Sequence, residues 1–149
     1  MPTRKTRAAE PPAPVVVRGN HAPLARRRVE AAVRLVLQRE RVQAAIAVTF
    51  LGPTRMRALN RRWKGHDRPT DVLAFALPQR DGSLVGDIFV CRAVAKAEAA
   101  ARGLSLREEL LRLVIHGTLH VAGHDHPDDE RRVRSPMWRR QERYLACLV

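Results

Sequence analysis

Short apolar runs and apolar residues at helical spacing follow one another along this chain in no regular order. Runs of β-branched and apolar residues predict four strands, at residues 15–17, 45–51, 72–75 and 85–90, with a turn around Asp81-Gly82 between the last two. Apolar side chains that repeat every three or four residues predict helices, over residues 23–40, 53–63, 92–102 and 106–122. The charged segment 128–148 is predicted to be a helix that Pro136 breaks or kinks.

The order of these elements predicts an α+β fold with one small mixed sheet, because strands and helices mix without a regular βαβ alternation. A length of 149 residues makes a single domain the default. We assign that domain to residues 15–149. Residues 1–14 are rich in proline, arginine and alanine without periodicity, and we predict that they form a disordered basic tail.

The helix predicted over residues 106–122 has signals at both of its ends. Ser105 precedes the first apolar residue and Glu108 follows three positions later, which is the pattern of a capping box. Gly123 follows the last periodic residue, where a glycine can adopt a positive φ and reverse the chain. The residues after Gly123 are therefore expected to fold back toward the helix.

Positive charge is concentrated in the first half of the chain. Residues 1–70 hold 16 of the 28 basic and four of the 15 acidic side chains, in a chain of net charge +13. Such a half attracts polyanions, nucleic acid before an anionic membrane surface. Arginine outnumbers lysine 25 to three, which is equally typical of a codon bias, so charge alone leaves the partner open.

Cysteine usage and hydropathy narrow the cellular location. The two cysteines, Cys91 and Cys147, are too few for a secreted disulfide framework and lack the pairings of a cysteine zinc site. No apolar run approaches the roughly 18 residues that span a bilayer, and the first residues lack the apolar core of a signal peptide. We expect a cytoplasmic protein without a membrane partner.

Four of the six histidines lie within residues 116–126, and three of them have the spacing of metal ligands. His116 and His120 are four residues apart on the predicted helix, so both rings project from one face. The reversal at Gly123 can bring His126 to the same face. Three imidazole nitrogens leave a fourth position for water, which is typical of a catalytic zinc site rather than a structural one.

The same spacing is shared with a class of zinc peptidases, which gives an alternative function. The pattern H-x-x-x-H-x-x-G-x-x-H matches the metzincin motif H-E-x-x-H-x-x-G-x-x-H except at one position. Gly117 stands where those enzymes carry the glutamate that acts as general base. Peptide hydrolysis by the usual route would lack its base. Cleavage of a phosphodiester instead has a negatively charged transition state, which a metal ion and cationic side chains stabilise.

Two further segments show a resemblance to a known family. Residues 59–75, LNRRWKGHDRPTDVLAF, resemble the L-N-x-x-[YF]-R-x-x-D-x-P-T-[DN]-V-L-S-F block of the bacterial YbeY endoribonuclease family. Residues 86–88 resemble the G-D-I strand of that family, and residues 113–115 before His116 complete its helix. The resemblance runs from about residue 46 to residue 142.

The resemblance implies a zinc-dependent, single-strand-specific endoribonuclease that acts in maturation of 16S ribosomal RNA and in ribosome quality control. Single-stranded RNA, ribosomal RNA and ribosomal subunits are then the expected partners. One Zn²⁺ ion would be held by His116, His120 and His126. The implied fold is a mixed, mainly four-stranded sheet beside the metal-binding helix.

The chain departs from the family at the residue after the motif aromatic, where Lys64 replaces the usual arginine. Lysine keeps the charge and loses the planar fork that binds a phosphate bidentately. We predict that Lys64 acts in catalysis as a point charge on the scissile phosphate. Basic residues of the same segment are predicted to bind the RNA backbone, namely Arg61, Arg62, Lys64 and Arg68. Ala74, in place of the family serine, is interpreted as a packing change.

Several roles stay open at this point. The general base is Asp125, His66 or the 2′-hydroxyl of the RNA, and we place Asp125 among the catalytic residues. Trp63 is predicted to lie in the core because of its spacing from Met56 and Leu59, with base stacking as the alternative. Asn60 could cap a helix or bind RNA.

A catalytically silent ribosome-assembly module is the remaining alternative function. It would bind ribosomal RNA around a structural zinc ion. Such a site needs a fourth protein ligand to close the shell, and His124 and Asp125 are the nearest candidates.

Overall fold

The computed structural model of the protein describes residues 13–149. The predicted disordered tail lies outside the described residues except for its last two. The strands are β1 (Val15–Gly19), β2 (Ala44–Leu51), β3 (Val72–Pro78) and β4 (Leu84–Cys91). The helices are α1 (Arg26–Glu40), α2 (Pro53–Lys64), α3 (Arg92–Arg102), α4 (Leu106–Val121) and α5 (Pro136–Ala146), with a short 3₁₀ helix at Glu130–Arg134. All predicted strands and helices are present, and the α+β class is confirmed.

The strands form one mixed four-stranded sheet in the order β1-β2-β4-β3. β1, β2 and β4 are parallel, and β3 pairs antiparallel with β4 at the edge. The register places Val17 opposite Val48, and Val48 opposite Ile88. These three side chains are buried and form a continuous apolar row across one face of the sheet.

Helix α4 packs on that face and forms the centre of the core. Eleven of its 16 residues are buried, between the sheet on one side and α1, α3 and α5 on the others. Gly117 permits the close approach of α4 to the sheet. A Cβ atom at Gly117 would lie 2.6 Å from Cγ2 of Ile88 on β4, closer than real Cβ atoms come. A side chain at residue 117 would therefore force the helix off the strand.

Helix α2 covers the opposite face with a second, smaller apolar cluster. Met56 is fully buried there, and Leu59 packs beside it against Leu73, Phe75 and Phe89 of the sheet. This second layer places the basic C-terminal end of α2, where the loop to β3 begins, near the edge strand β3.

The prediction that Trp63 lies in the core is wrong, because its side chain is 57% exposed. Trp63 lies in the last turn of α2, and its ring is 5.8 Å from that of Phe75 on the edge strand. Within residues 13–149, no strand follows β3 on that side to cover the ring. Asn60, by contrast, is buried, and its Nδ2 donates to the carbonyl oxygen of Arg68 at 2.9 Å. Asn60 therefore anchors the loop after α2.

Element boundaries differ from the prediction where local hydrogen bonds compete with the apolar pattern. Helix α1 begins at Arg26 instead of residue 23, because a turn in which the Leu24 amide donates to the His21 carbonyl precedes it. Strand β3 extends to Pro78, since it stays paired with β4 as far as Leu84. Pro136 does interrupt the last segment, and it does so as the first residue of α5.

The ends of α4 are as predicted. The Ser105 hydroxyl accepts a hydrogen bond from the Glu108 amide at 3.1 Å, which caps the N-terminus. Gly123 adopts a φ of +102° after the last turn. Among the described residues, no helix is both long enough and apolar enough to cross a bilayer.

Candidate metal centre

Three histidine rings converge at the C-terminal end of α4. His116 and His120 project from one face of the helix, and the reversal at Gly123 returns His126 to the same face. The Nε2 atoms of His116 and His120 are 3.1 Å apart, and each lies 3.2 Å from Nε2 of His126. The predicted three-residue cluster is present in the folded chain and could hold a metal ion.

The reversal that positions His126 depends on backbone hydrogen bonds at the end of the helix. The amide of Gly123 donates to the carbonyl of His120, and the amide of His124 donates to the carbonyl of Leu119, each at 3.0 Å. This pattern ends a helix with a residue in left-handed conformation. The loop that carries His126 therefore leaves α4 in one fixed direction.

Each ring is oriented by a hydrogen bond from its other nitrogen. Nδ1 of His116 lies 2.6 Å from Oε1 of Gln141, and Nδ1 of His120 lies 3.0 Å from the carbonyl oxygen of His124. Nδ1 of His126 lies 2.8 Å from the carbonyl oxygen of Pro127. Since all three partners are acceptors, each Nδ1 carries the proton and donates. The three Nε2 atoms then all present lone pairs to one another.

Burial keeps two of these rings neutral. Desolvation lowers the pKa of His116 to about 4, although the hydrogen bond to Gln141 opposes the shift. Desolvation and the neighbouring imidazoles likewise lower the pKa of His120 to about 4. Both rings are therefore uncharged at neutral pH, which is the form that binds a metal.

The donor set fits a tetrahedral zinc ion. Zinc–nitrogen bonds of about 2.0–2.1 Å place tetrahedral ligand nitrogens about 3.3 Å apart, close to the separations of 3.1 and 3.2 Å found here. Three lone pairs at this distance repel one another unless a cation lies between them. Histidines that bind zinc in proteins are likewise oriented by a hydrogen bond from their other ring nitrogen.

The three histidines open onto a cleft of about 460 Å³, a size suited to a nucleotide-sized ligand. The start of the edge strand β3, Lys64 and residues of α5 also line this cleft. Asp125 also lines the cleft, and its Oδ1 accepts a hydrogen bond from the amide of His126 at 2.9 Å. The structure thus brings Lys64 and Asp125 into one cleft with the histidines.

The remaining predicted RNA-binding residues lie outside the cleft. They are exposed on α2 and on the loop that follows it. Arg61 lines a separate depression beside Arg57 and Asp67. The guanidinium of Arg62 lies 5.1 Å from the centre of the Trp63 ring. Arg68 is exposed in the loop before β3. None of these three side chains lines the cleft that holds the histidines.

Two features of the cleft were not predicted from the sequence. Gln141 of α5 is 1% exposed and orients His116, although it is 25 residues away in the chain. Arg112 lies one turn before His116 and is bound by Glu109 and Glu142, both at 2.8 Å. Since Arg112 is already paired, its charge is not free for a phosphate. A polar residue on the inner face of α5 was the only sequence signal for Gln141.

The side chain of His124 faces away from the metal centre. Its Nε2 atom contacts the Glu40 carboxylate at the end of α1. Gly117 also faces away, toward Ile88 and the sheet. His124 is therefore not positioned to be a fourth metal ligand. A glutamate at residue 117, as in the zinc peptidases, would point at the sheet and not at the site.

The fold and the site define an α+β protein whose three converging histidines could hold a metal ion beside a cleft. The family model described as endoribonuclease YbeY matches residues 19–149. The chain belongs to the endoribonuclease YbeY family, which confirms the resemblance found in the motifs.

Curated relatives and a solved structure agree with this assignment. The chain is 44% identical over 88 residues to endoribonuclease YbeY of Sulfurihydrogenibium sp. (strain YO3AOP1), covering 57% of this chain and 58% of that one. It is 35% identical over 142 residues to endoribonuclease YbeY of Desulfitobacterium hafniense (strain Y51), covering 89% and 87%. The solution structure of TM1509 from Thermotoga maritima superimposes with a TM-score of 0.62 at 28% identity, covering 90% of this chain and 88% of that one.

Proposed function

We propose that this chain is a zinc-dependent endoribonuclease that cuts single-stranded RNA. The observation that carries the proposal is the convergence of three imidazole nitrogens at a cleft that Lys64 also lines. A metal ion with a lysine in the same cleft suits a phosphodiester, whose transition state carries extra negative charge. The family of the chain supports RNA as the substrate.

His116, His120 and His126 would hold the zinc ion through their Nε2 atoms. A zinc ion in such a site supplies Lewis acidity toward the phosphate and lowers the pKa of water bound to it. The three Nδ1 hydrogen bonds keep the rings aligned before substrate arrives, so little reorganisation is needed on binding.

Lys64, which lines the cleft, would place its ammonium group against the scissile phosphate. As a point charge it can neutralise a non-bridging oxygen without fixing its orientation. Arg61, Arg62 and Arg68 would contact the flanking backbone on the exposed surface, with an affinity that depends on salt.

Asp125 is the proton acceptor that we favour. Its carboxylate lines the cleft, whereas His66 lies on the exposed loop after α2 and does not. The Oδ1 atom of Asp125 is engaged by the His126 amide. Its other oxygen would therefore accept the proton from the attacking hydroxyl or water.

The cellular role that we propose is maturation of 16S ribosomal RNA and ribosome quality control in the cytoplasm. Ribosomal RNA and ribosomal subunits would be the partners. The support is membership of the family together with the basic surface of the first half of the chain.

The test is cleavage of an end-labelled, unstructured RNA beside a duplex of the same sequence. Wild-type protein should cut the single strand in preference to the duplex, lose activity in a chelator and regain it with added zinc. His120→Ala should retain neither zinc nor cleavage. His21→Ala is the matched control, because it removes a histidine that lies outside the cleft and whose ring nitrogen bonds the Leu24 carbonyl.

The same experiment separates the two alternative functions. Digestion of casein that a chelator stops would favour a peptidase, although Gly117 leaves no room for the usual base. RNA binding with bound zinc and no cleavage would favour a silent assembly module. Undiminished cleavage by a metal-free His120→Ala protein would contradict the proposed mechanism.

A further inference from the structure

The carboxyl group at the end of α1 is buried and contacts the loop that follows α4. Glu40 is the last residue of α1, and its side chain is only 6% exposed. Burying a carboxylate is costly unless partners satisfy it. The partners of Glu40 therefore indicate which parts of the protein this buried carboxylate holds together.

The two carboxylate oxygens of Glu40 face different elements. Oε2 accepts hydrogen bonds from Nη1 of Arg140 and from the hydroxyl of Tyr144 on α5, each at 3.0 Å. Oε1 is buried and accepts no hydrogen bond from the described residues, and Nε2 of His124 in the loop after α4 lies in close contact with it. Glu40 thus joins α1 and α5 to the loop that carries a metal ligand.

His124 connects this carboxylate to the site. Its backbone carbonyl oxygen accepts the hydrogen bond from Nδ1 of His120, at 3.0 Å. The position of that carbonyl sets the direction in which His120 presents Nε2. His124 belongs to a short loop whose turn is made by Gly123 at a φ of +102°, so its side-chain anchor restricts the whole loop.

The contact also explains why His124 is not a ligand. Its ring is held on the Glu40 side, away from the three converging Nε2 atoms. Without Glu40, the loop would lose its tie to α1, and the His124 ring would be free to turn. Both changes would loosen the orientation of His120.

We propose that Glu40 is a positioning residue for the metal centre and acts through His124. The proposal rests on the metal site of the proposed function and not on cleavage of RNA. Loss of an outer partner of a metal ligand typically lowers metal affinity about 10–100-fold. Since Glu40 acts through one intervening residue, we expect the lower end of that range.

The test measures binding of zinc and cobalt(II) to the full chain by competition with a chromophoric chelator. Glu40→Gln should lower the affinity for both ions about tenfold and change the visible absorption spectrum of the cobalt form. His124→Ala, which keeps the backbone carbonyl, should do the same. In the double variant, the loss should be smaller than the product of the two single losses, because both act on one contact.

Two matched variants separate positioning from general stability. Tyr144→Phe removes a hydrogen bond to the other oxygen of Glu40 and leaves the contact with His124 in place. It should lower the melting temperature while leaving metal affinity and the cobalt spectrum unchanged. His124→Gln retains a side-chain N–H for Oε1, and it should restore most of the affinity that His124→Ala loses.

Wild-type affinity and an unchanged cobalt spectrum in Glu40→Gln would overturn the proposal. Independent effects of Glu40→Gln and His124→Ala, multiplying in the double variant, would also overturn it. A wild-type protein that binds metal tightly without cutting RNA would overturn the proposed function alone, and the role of Glu40 would stand.

Discussion

Helices α2 and α4 both carry residues of the proposed site, and they carry them in opposite ways. Eleven of the 16 residues of α4 are buried, and its two histidines are fixed by hydrogen bonds to neighbouring elements. Only Met56 and Asn60 are buried on α2, and its basic residues lie on the exposed surface.

This difference separates two kinds of chemistry. A metal site requires atoms placed within a few tenths of an ångström, which only packed side chains with fixed partners provide. Attraction of a polyanion requires charge near a surface and tolerates mobile side chains. Changes in α4 should therefore have abrupt effects, and changes in α2 should have graded effects that depend on salt.

Lys64 is where the two regions meet, because it ends α2 and yet lines the cleft. Lys64→Ala should lower the turnover of single-stranded RNA about 10- to 100-fold, since one positioned charge is lost from the transition state. Bound zinc should stay at the wild-type level. Single-turnover cleavage with parallel metal analysis measures both.

Lys64→Arg provides the control for charge, and it should retain most of the activity. If Lys64→Ala weakened RNA binding alone, with unchanged turnover at saturation, Lys64 would act like the surface arginines. It would then take no part in the chemistry of the cleft.

Gly117 tests how closely α4 must approach the sheet. Gly117→Ala should lower the free energy of unfolding by about 1–3 kcal/mol, the usual cost of overpacking, because its Cβ would meet Ile88 at 2.6 Å. The preference of helices for alanine over glycine, about 1 kcal/mol, acts in the other direction. Denaturant unfolding of the metal-free protein gives the value.

Gly52→Ala is a suitable control, because nothing lies within 4 Å of a Cβ there. It should change stability by less than about 1 kcal/mol. A Gly117→Ala protein as stable as the wild type would show that α4 can move away from β4 without cost.

The histidines of α4 also predict a dependence of stability on pH. The unfolded pKa of 6.5 falls to about 4 in the folded chain for both His116 and His120. Between these values the unfolded chain binds more protons, so metal-free protein should lose stability as pH falls from about 6.5 to about 4.

The size of this loss should be on the order of 1 kcal/mol, because solvent reaches part of both rings. Denaturant unfolding at a series of pH values in chelator would show it, and His116→Asn should flatten the slope. A wild-type stability that is constant across this range would contradict the burial of these rings in neutral form.

The surface arginines should give the smallest effects. Arg61→Gln and Arg62→Gln should each weaken binding of unstructured RNA only a few-fold at moderate salt. Each should reduce the slope of log K against log salt by about 0.7, the value for one phosphate contact on a single strand. Filter binding at several salt concentrations measures the slope. A complete loss of cleavage in either variant would place that arginine in the cleft chemistry.

The metal site could be predicted from the sequence because it depends on local geometry. Helical spacing aligns His116 with His120, and a single glycine determines where the chain turns back with His126. The same local signals placed Ser105 as the cap of α4 and predicted an interruption at Pro136, which the structure shows to be the first residue of α5.

Contacts between distant elements could not be predicted in this way. Gln141 and Glu40 reach the site through packing of α5 and α1 against α4, and no spacing in the sequence reports that packing. Trp63 was misplaced for a related reason. Its periodicity identifies the inner face of α2, but only the strand order shows that the sheet ends beneath it.

In the proposed function, the three histidines hold the metal with which this chain cuts RNA. The most direct measurement is the metal content of one preparation, determined by elemental analysis at several stages of chelator treatment, together with its cleavage of a labelled single-stranded RNA. We predict one zinc ion per chain at full loading, cleavage that falls in proportion to the metal lost, and recovery of both on adding zinc. Full cleavage by protein that holds no metal would contradict the account.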